Sequence, residues 1–225
     1  MLRLGELEEA YALLSALAGK TPDAFADPAA LHDLALVELL SGRLNEAMRE
    51  YRTLVPRTQL LEDVRERHRV LIEAGGLALA LGPSNSSEAL GYLGEARRLG
   101  APPGLNDLTI GLLALALDRS GRVEQARALV REASGPWVTE RLTAELRTPS
   151  GEAPKKWPFG KTLLPALVGA EAHAVVALLA ERTDVKLAKA QWSAFLASSG
   201  GQGPWAEHAR KKLAGLGSSE RRGSS

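Results

Sequence analysis

The chain has 225 residues, enough for one large or two small domains, and its 24% charged content with an ordinary apolar fraction argues against global disorder. It contains no cysteine, which excludes disulfides, thiolate metal sites and cysteine catalysis. Leucine and alanine dominate while aromatics are only 4%, a mixture that favours helices over strands. A net charge of +1 hides an asymmetry: residues 1–147 hold 17 basic and 21 acidic side chains, and residues 148–225 hold 11 and 6.

In chain order, Leu2 to Ala18 has helical spacing and stops at Gly19-Lys20-Thr21-Pro22. Asp27-Pro28 combines a cap with a first-turn proline and predicts a helix to about Ser41. Gly42 is a connector, and a second helix follows from about Leu44 to Leu54. Leu31, Leu34 and Ala35 are expected to face Ala47, Tyr51 and Leu54, with Ala47 letting the backbones come close. The next helix is predicted over Gln59 to Leu81, with Gly75-Gly76 marking either a kink or a close crossing. A break at Gly82-Pro83-Ser84-Asn85 precedes a helix from Ser86 or Ser87 to Leu99. Helix 106–119, with Asn106 as cap, turns at Gly121 into helix 123–133. Pro136-Trp137 opens a short helix to about Arg147, and Pro204-Trp205 echoes it late in the chain.

The segment 148–160, with three prolines, is the expected linker between residues 1–147 and a C-terminal part, 161–216. That part is predicted as helices Gly160–Glu181, Val185–Ala197 and 204–214, forming either a continuation or a cap, before a mobile tail, 217–225. On Val185–Ala197, Val185, Ala188, Trp192 and Phe195 are expected to share a face. No segment alternates over strand length, so the expected class is all-α.

An internal repeat organises this pattern. Gly42-Arg43-Leu44-Asn45-Glu46-Ala47 and Gly121-Arg122-Val123-Glu124-Gln125-Ala126 match, and weaker copies surround Ala10 and Ala89. The four alanines lie 37, 42 and 37 residues apart, the length of one helix hairpin that must stack on its neighbours to bury its apolar face. In the first clear unit Leu31, Leu34, Ala35, Gly42, Ala47, Tyr51 and Leu54 fall where Ile110, Leu113, Ala114, Gly121, Ala126, Val130 and Ala133 fall in the other.

With these residues the chain resembles the tetratricopeptide repeat (TPR) family over 2–134, although Glu38 stands where that family often carries an aromatic ring. The resemblance implies a right-handed solenoid of antiparallel hairpins with added C-terminal helices. It also implies a scaffold that holds a partner's peptide or helix against the concave face made by the first helices. Carried onto this chain, that face comprises Ala29, His32, Leu36, Leu39, Leu108, Gly111, Leu115 and Asp118. Its apolar character points to a helix or hydrophobic segment rather than a terminal carboxylate. Arg65 and Arg69 project together from one helix and join the expected partner-binding set as anchors for an acidic group.

Other motifs carry bland readings. His32, His68, His173 and His208 are isolated in sequence and are expected to be surface or half-buried. In the charged run, Arg69 is expected to pair with Glu73. Gly200-Gly201-Gln202-Gly203 lacks the strand and lysine of a phosphate loop and reads as a flexible connector. Lys155-Lys156-Trp157-Pro158-Phe159 is expected to pin the linker onto the C-terminal helices, and Trp137, Trp192 and Trp205 to be core or cap residues.

The sequence therefore predicts a non-enzymatic interaction scaffold without metal or cofactor. The alternative is a regulatory or nucleic-acid-associated module using the basic C-terminal part. No apolar run reaches membrane-spanning length and no secretory signal is evident, so a cytoplasmic protein with a protein or peptide partner is expected. An uncovered leucine-rich N-terminal helix would expose an apolar stripe, which predicts cover by the chain itself, a partner or a second copy.

Overall fold

Polar caps and glycine turns divide the chain into a succession of helices. The computed structural model describes residues 8–14, 27–100, 103–132, 170–198 and 201–222. Within them, residues 8–14 are helical and nine further helices follow: α1 (Pro28–Leu40), α2 (Leu44–Leu54), α3 (Val64–Leu81), α4 (Ser86–Leu99), α5 (Pro103–Arg119), α6 (Val123–Glu132), α7 (Glu171–Ala180), α8 (Val185–Ala197) and α9 (Ala206–Arg222). There is no strand among the described residues.

The repeated Gly-Arg dipeptide closes helix hairpins. At the end of α1, Gly42 N–H donates to Leu39 O at 3.1 Å and Arg43 N–H to Glu38 O at 2.8 Å. At the end of α5, Gly121 N–H donates to Asp118 O at 3.0 Å and Arg122 N–H to Leu117 O at 2.9 Å. Both glycines adopt φ 76°, a left-handed conformation that a Cβ would disfavour, so the paired bonds satisfy the last carbonyls and reverse the chain at once. The middle hairpin turns through Gly82 (φ 110°) and a 3-10 turn, Pro83–Asn85, and the 3-10 turn Val55–Leu60 before α3 lengthens the interval between Ala47 and Ala89.

Small residues set the spacing inside each hairpin. Ala35, Ala47, Ala89, Ala96, Ala114 and Ala126 are all buried. At Gly75 the approach is closer still, since a Cβ there would lie 2.5 Å from Leu93 Cγ of α4. Because α3 continues unbroken through Gly75-Gly76, the pair marks a close crossing and not a break in the helix. Each helix from α1 to α5 packs on its successor, and α3 also meets α5, so the hairpins stack in chain order. Arg52–Glu88 (2.9 Å) and Arg97–Glu132 (2.6 Å) link successive second helices across the surface, each contributing at most about 1 kcal/mol.

The C-terminal helices close on this stack. All of α7 except His173 is buried, as expected of a helix apolar on every side. It packs on α5, where Gly111 leaves room for Val175 and Leu179, and it forms a hairpin with α8. The buried face of α8 carries Ala188, Trp192 and Phe195, with Val185 half-buried at its start. Trp205, also buried, reaches the other way: its indole N–H donates to Leu79 O of α3 at 2.7 Å.

Several expectations need correction. A 3-10 turn, Val55–Leu60, occupies the stretch before α3, which starts at Val64 because the Asp63 carboxylate accepts from Arg65 N–H at 2.8 Å and caps it. α5 begins at Pro103, so Asn106 lies inside the helix and caps nothing. The tail over 217–222 continues α9 as helix. His32 and His68 are fully buried, 2% and 0% exposed, because each is used between helices. The short helix to Arg147, the linker 148–160 with its Lys155–Phe159 motif, Trp137 and the start of helix 160–181 lie outside the described residues.

Candidate functional site

The ten expected partner-binding residues do not form one open face. His32, Leu39, Leu108, Gly111, Leu115 and Asp118 are buried, Leu36 and Arg69 are half-buried, and Ala29 and Arg65 are exposed. The physical cause differs along the stack. Gly111 lies beneath α7, and Asp118 is covered by side chains of α9. His32 is drawn inward by Glu73 of α3, which accepts from its Nε2 at 2.6 Å and from the Tyr51 hydroxyl at 3.1 Å. Glu73 is therefore committed to α1 and α2, and Arg69 contacts Glu66 instead (3.5 Å). Burial, reinforced by Glu73, raises the Tyr51 pKa well above its ordinary value and keeps the phenol neutral as a donor.

The next interface repeats the theme with a weaker bond. His68 of α3 meets Thr109 of α5 at 3.3 Å, and burial lowers the imidazole pKa to about 4. The ring is neutral at pH 7 and contributes to packing.

At the far end of the stack, α5, α7, α8 and α9 meet in a dense charged and aromatic junction. Asp118 accepts from His208 Nε2 and from Lys212 Nζ, both at 2.7 Å. Burial alone would raise its pKa, but the bonds from His208 and Lys212 outweigh burial and lower it. Lys212 also reaches Glu181 at 3.3 Å, and Glu181 accepts from the Trp192 indole at 3.1 Å. Beside them Arg119 pairs with Glu171 at 2.5 Å and lies over the rings of Trp205 (4.6 Å) and Phe195 (5.7 Å). An Asp–His pair invites a catalytic reading, yet both polar partners of Asp118 come from α9, so the geometry anchors α9 to the end of α5.

Among the described residues, an uncovered apolar stretch of the first-helix face lies on α1. Ala29, Asp33 and Leu40 are exposed and Leu36 is half-buried, at intervals of four, three and four residues, so they form one stripe. Leu40 is 51% exposed, far more than its counterparts in the core. The helical segment 8–14 approaches the adjoining turn: Glu8 pairs with Arg43 at 3.0 Å, and the Arg43 guanidinium lies 3.7 Å over the Tyr11 ring. Leu13 of that segment is 68% exposed.

A second surface feature was not anticipated from the sequence. Gly91, Gly94, Glu95, Arg97 and Arg98 of α4, with Leu113 of α5, line an open cleft of about 520 Å³. Its signal was the pair of glycines three residues apart, which leaves a gap between side chains on one face of α4.

Among the described residues no group of three or more histidine, aspartate or glutamate side chains is placed to hold a metal ion, and no helix is long and apolar enough to cross a membrane. Comparison with family models, with curated proteins and with solved structures gives no match.

Proposed function

We propose that this protein is a TPR-like, right-handed helical scaffold of the cytoplasm that binds a helical segment of a partner protein along α1, without catalysis. The observation that carries the reading is the contrast along the first-helix face: α5 is covered by the chain's own C-terminal helices, whereas α1 retains Leu36 and Leu40 toward solvent. An amphipathic helix with apolar side chains one turn apart would cover the two leucines, and a basic or hydroxyl side chain would meet Asp33. The binding set shrinks accordingly to Ala29, Asp33, Leu36 and Leu40 of α1, with Arg65 and Arg69 of α3 retained only as anchors for an acidic group of the partner.

The nucleic-acid alternative is weaker because three cations of α9, Arg210, Lys211 and Lys212, already contact groups of the chain itself. Lys212 is held by Asp118 and Glu181, Lys211 by Glu207 at 2.8 Å, and Arg210 contacts Gly201 O at 3.4 Å. Self-association through Leu13 and Leu40 is the competing use of the same exposed leucines. The test is the double variant Leu36→Lys, Leu40→Lys, assayed by affinity capture, sedimentation and thermal melting. Loss of captured partner with an unchanged melt supports the scaffold reading. Loss of a dimer in sedimentation, with no captured partner in either protein, assigns the face to a second copy. Unchanged capture sinks the α1 assignment.

A further inference from the structure

The α1–α2 hairpin contains a carboxyl group that none of the roles above uses. Glu38 is 2% exposed, and its Oε2 is buried without a hydrogen-bond partner. It lies two residues from both Leu36 and Leu40, about 200° around the helix from each, and so on the opposite side of α1 from the exposed stripe. The charged groups that set its surroundings are Glu46, Arg49 and Glu50 of α2 and Arg43 of the turn. Neither arginine is dedicated to it. Arg49 Nε donates to Glu50 at 3.0 Å, and Arg43 is turned to Glu8 and to the Tyr11 ring. From α3, Glu73 is taken up by His32 and Tyr51. Among the described residues, Glu38 thus lies buried within the field of a second buried carboxylate, Glu50, with no cation hydrogen-bonded to it.

We propose that Glu38 is a proton-operated latch in the first hairpin: protonated, it lets α1 and α2 pack closely; ionised, it loosens them. A neutral carboxyl can be buried here at modest cost, whereas its anion must be desolvated beside Glu50. Burial and then Glu50 push the Glu38 pKa from 4.5 to about 7, against the opposing pull of Arg49 and Arg43. The sign follows from linkage. In the unfolded hairpin the carboxyl ionises near 4.5, and in the folded one near 7, so the stabilisation is complete below pH 4.5 and is lost as pH rises to about 7. The latch rests on the hairpin's own geometry and needs no partner. Only its consequence, that acidification stiffens the α1 face, rests on the proposed binding role.

Hydrogen exchange on the full chain between pH 5 and 8, corrected for intrinsic exchange rates, tests it. The opening constant of amides in α1 and α2 is expected to rise by about tenfold per pH unit between about pH 5 and 7 and then level off, while amides in α7 do not follow. Glu38→Gln, which keeps the shape and removes the titration, should flatten that rise. Should that variant fail to fold, Glu50→Gln is expected to shrink the rise and move its plateau to lower pH. The same profile in wild type and variant, or a Glu38 carboxyl that titrates near 4.5 by carbon NMR in the full chain, overturns the proposal.

Discussion

At the junction of α5, α7 and α9, each buried carboxylate has a cation against it: Asp118 holds His208 and Lys212, and Glu171 holds Arg119. In the α1–α2 hairpin, Glu38 shares its surroundings with Glu50 and has no such partner. Both places end a first helix with the same glycine turn and the same pair of backbone hydrogen bonds. What separates them is the neighbour. α7 covers the first-helix face of α5 and α9 side chains cover its end at Asp118, whereas that of α1 keeps Leu36 and Leu40 toward solvent. One repeat geometry has yielded a closed end and an open end, and the proposed binding role belongs to the open one.

The largest effect should come from breaking the closed end. Glu171→Ala leaves Arg119 buried without its counter-charge and is expected to cost about 3–5 kcal/mol in denaturant unfolding. Little change would mean that the rings of Trp205 and Phe195 suffice to hold the guanidinium. Next in size is the close crossing between α3 and α4. Gly75→Ala would push a methyl into Leu93, and the expected loss is about 1–3 kcal/mol despite alanine's better helix propensity. A stabilised Gly75→Ala would show that Leu93 can move aside.

Two of the buried titratable groups, His68 and Glu38, sharpen the comparison through opposite pH dependences. His68 has a folded pKa of about 4, so between 6.5 and 4 the unfolded chain takes up a proton that the native one does not. Its contribution is lost as pH falls, by about 1 kcal/mol per pH unit at the steepest. Glu38 works in the other direction over an overlapping range, and the two partly cancel in a global unfolding curve. In the Glu38→Gln background the acid-side loss from His68 should therefore steepen. No change in slope would argue against at least one of the two assignments. The smallest stability effect is expected at the open face, where Leu36→Lys should change unfolding by about 0.5 kcal/mol or less, because a half-buried stem keeps its contacts while the ammonium reaches water.

Much of the helical plan was legible in the sequence because its signals are local. The Asp27-Pro28 cap, the Gly42-Arg43 and Gly121-Arg122 turns and the alanines at hairpin contacts each act within a few residues, and the observed helices follow them. The cap at Asp63 was equally local but was overrun by an expected helix that began too early. The partner-facing surface was less legible because exposure is decided by what lies on top. His32 has the spacing of a groove residue, yet its fate depends on Glu73, 41 positions away. Asp118 looked like an exposed acid until His208, 90 positions on, was placed over it. Pairings of that range follow from how hairpins stack, and no periodicity within one helix encodes them.

The most direct test of the open-end account is site-specific photo-cross-linking from the intact protein. A photoreactive residue placed at Leu40, at the uncovered end of α1, is compared with one at Ser193, exposed on α8. One discrete adduct with a partner protein is expected from Leu40, abolished when Leu36→Lys is added, and none from Ser193. Adducts from Ser193 with none from Leu40 would contradict it, and would move the interaction to the end of the molecule that its own helices close.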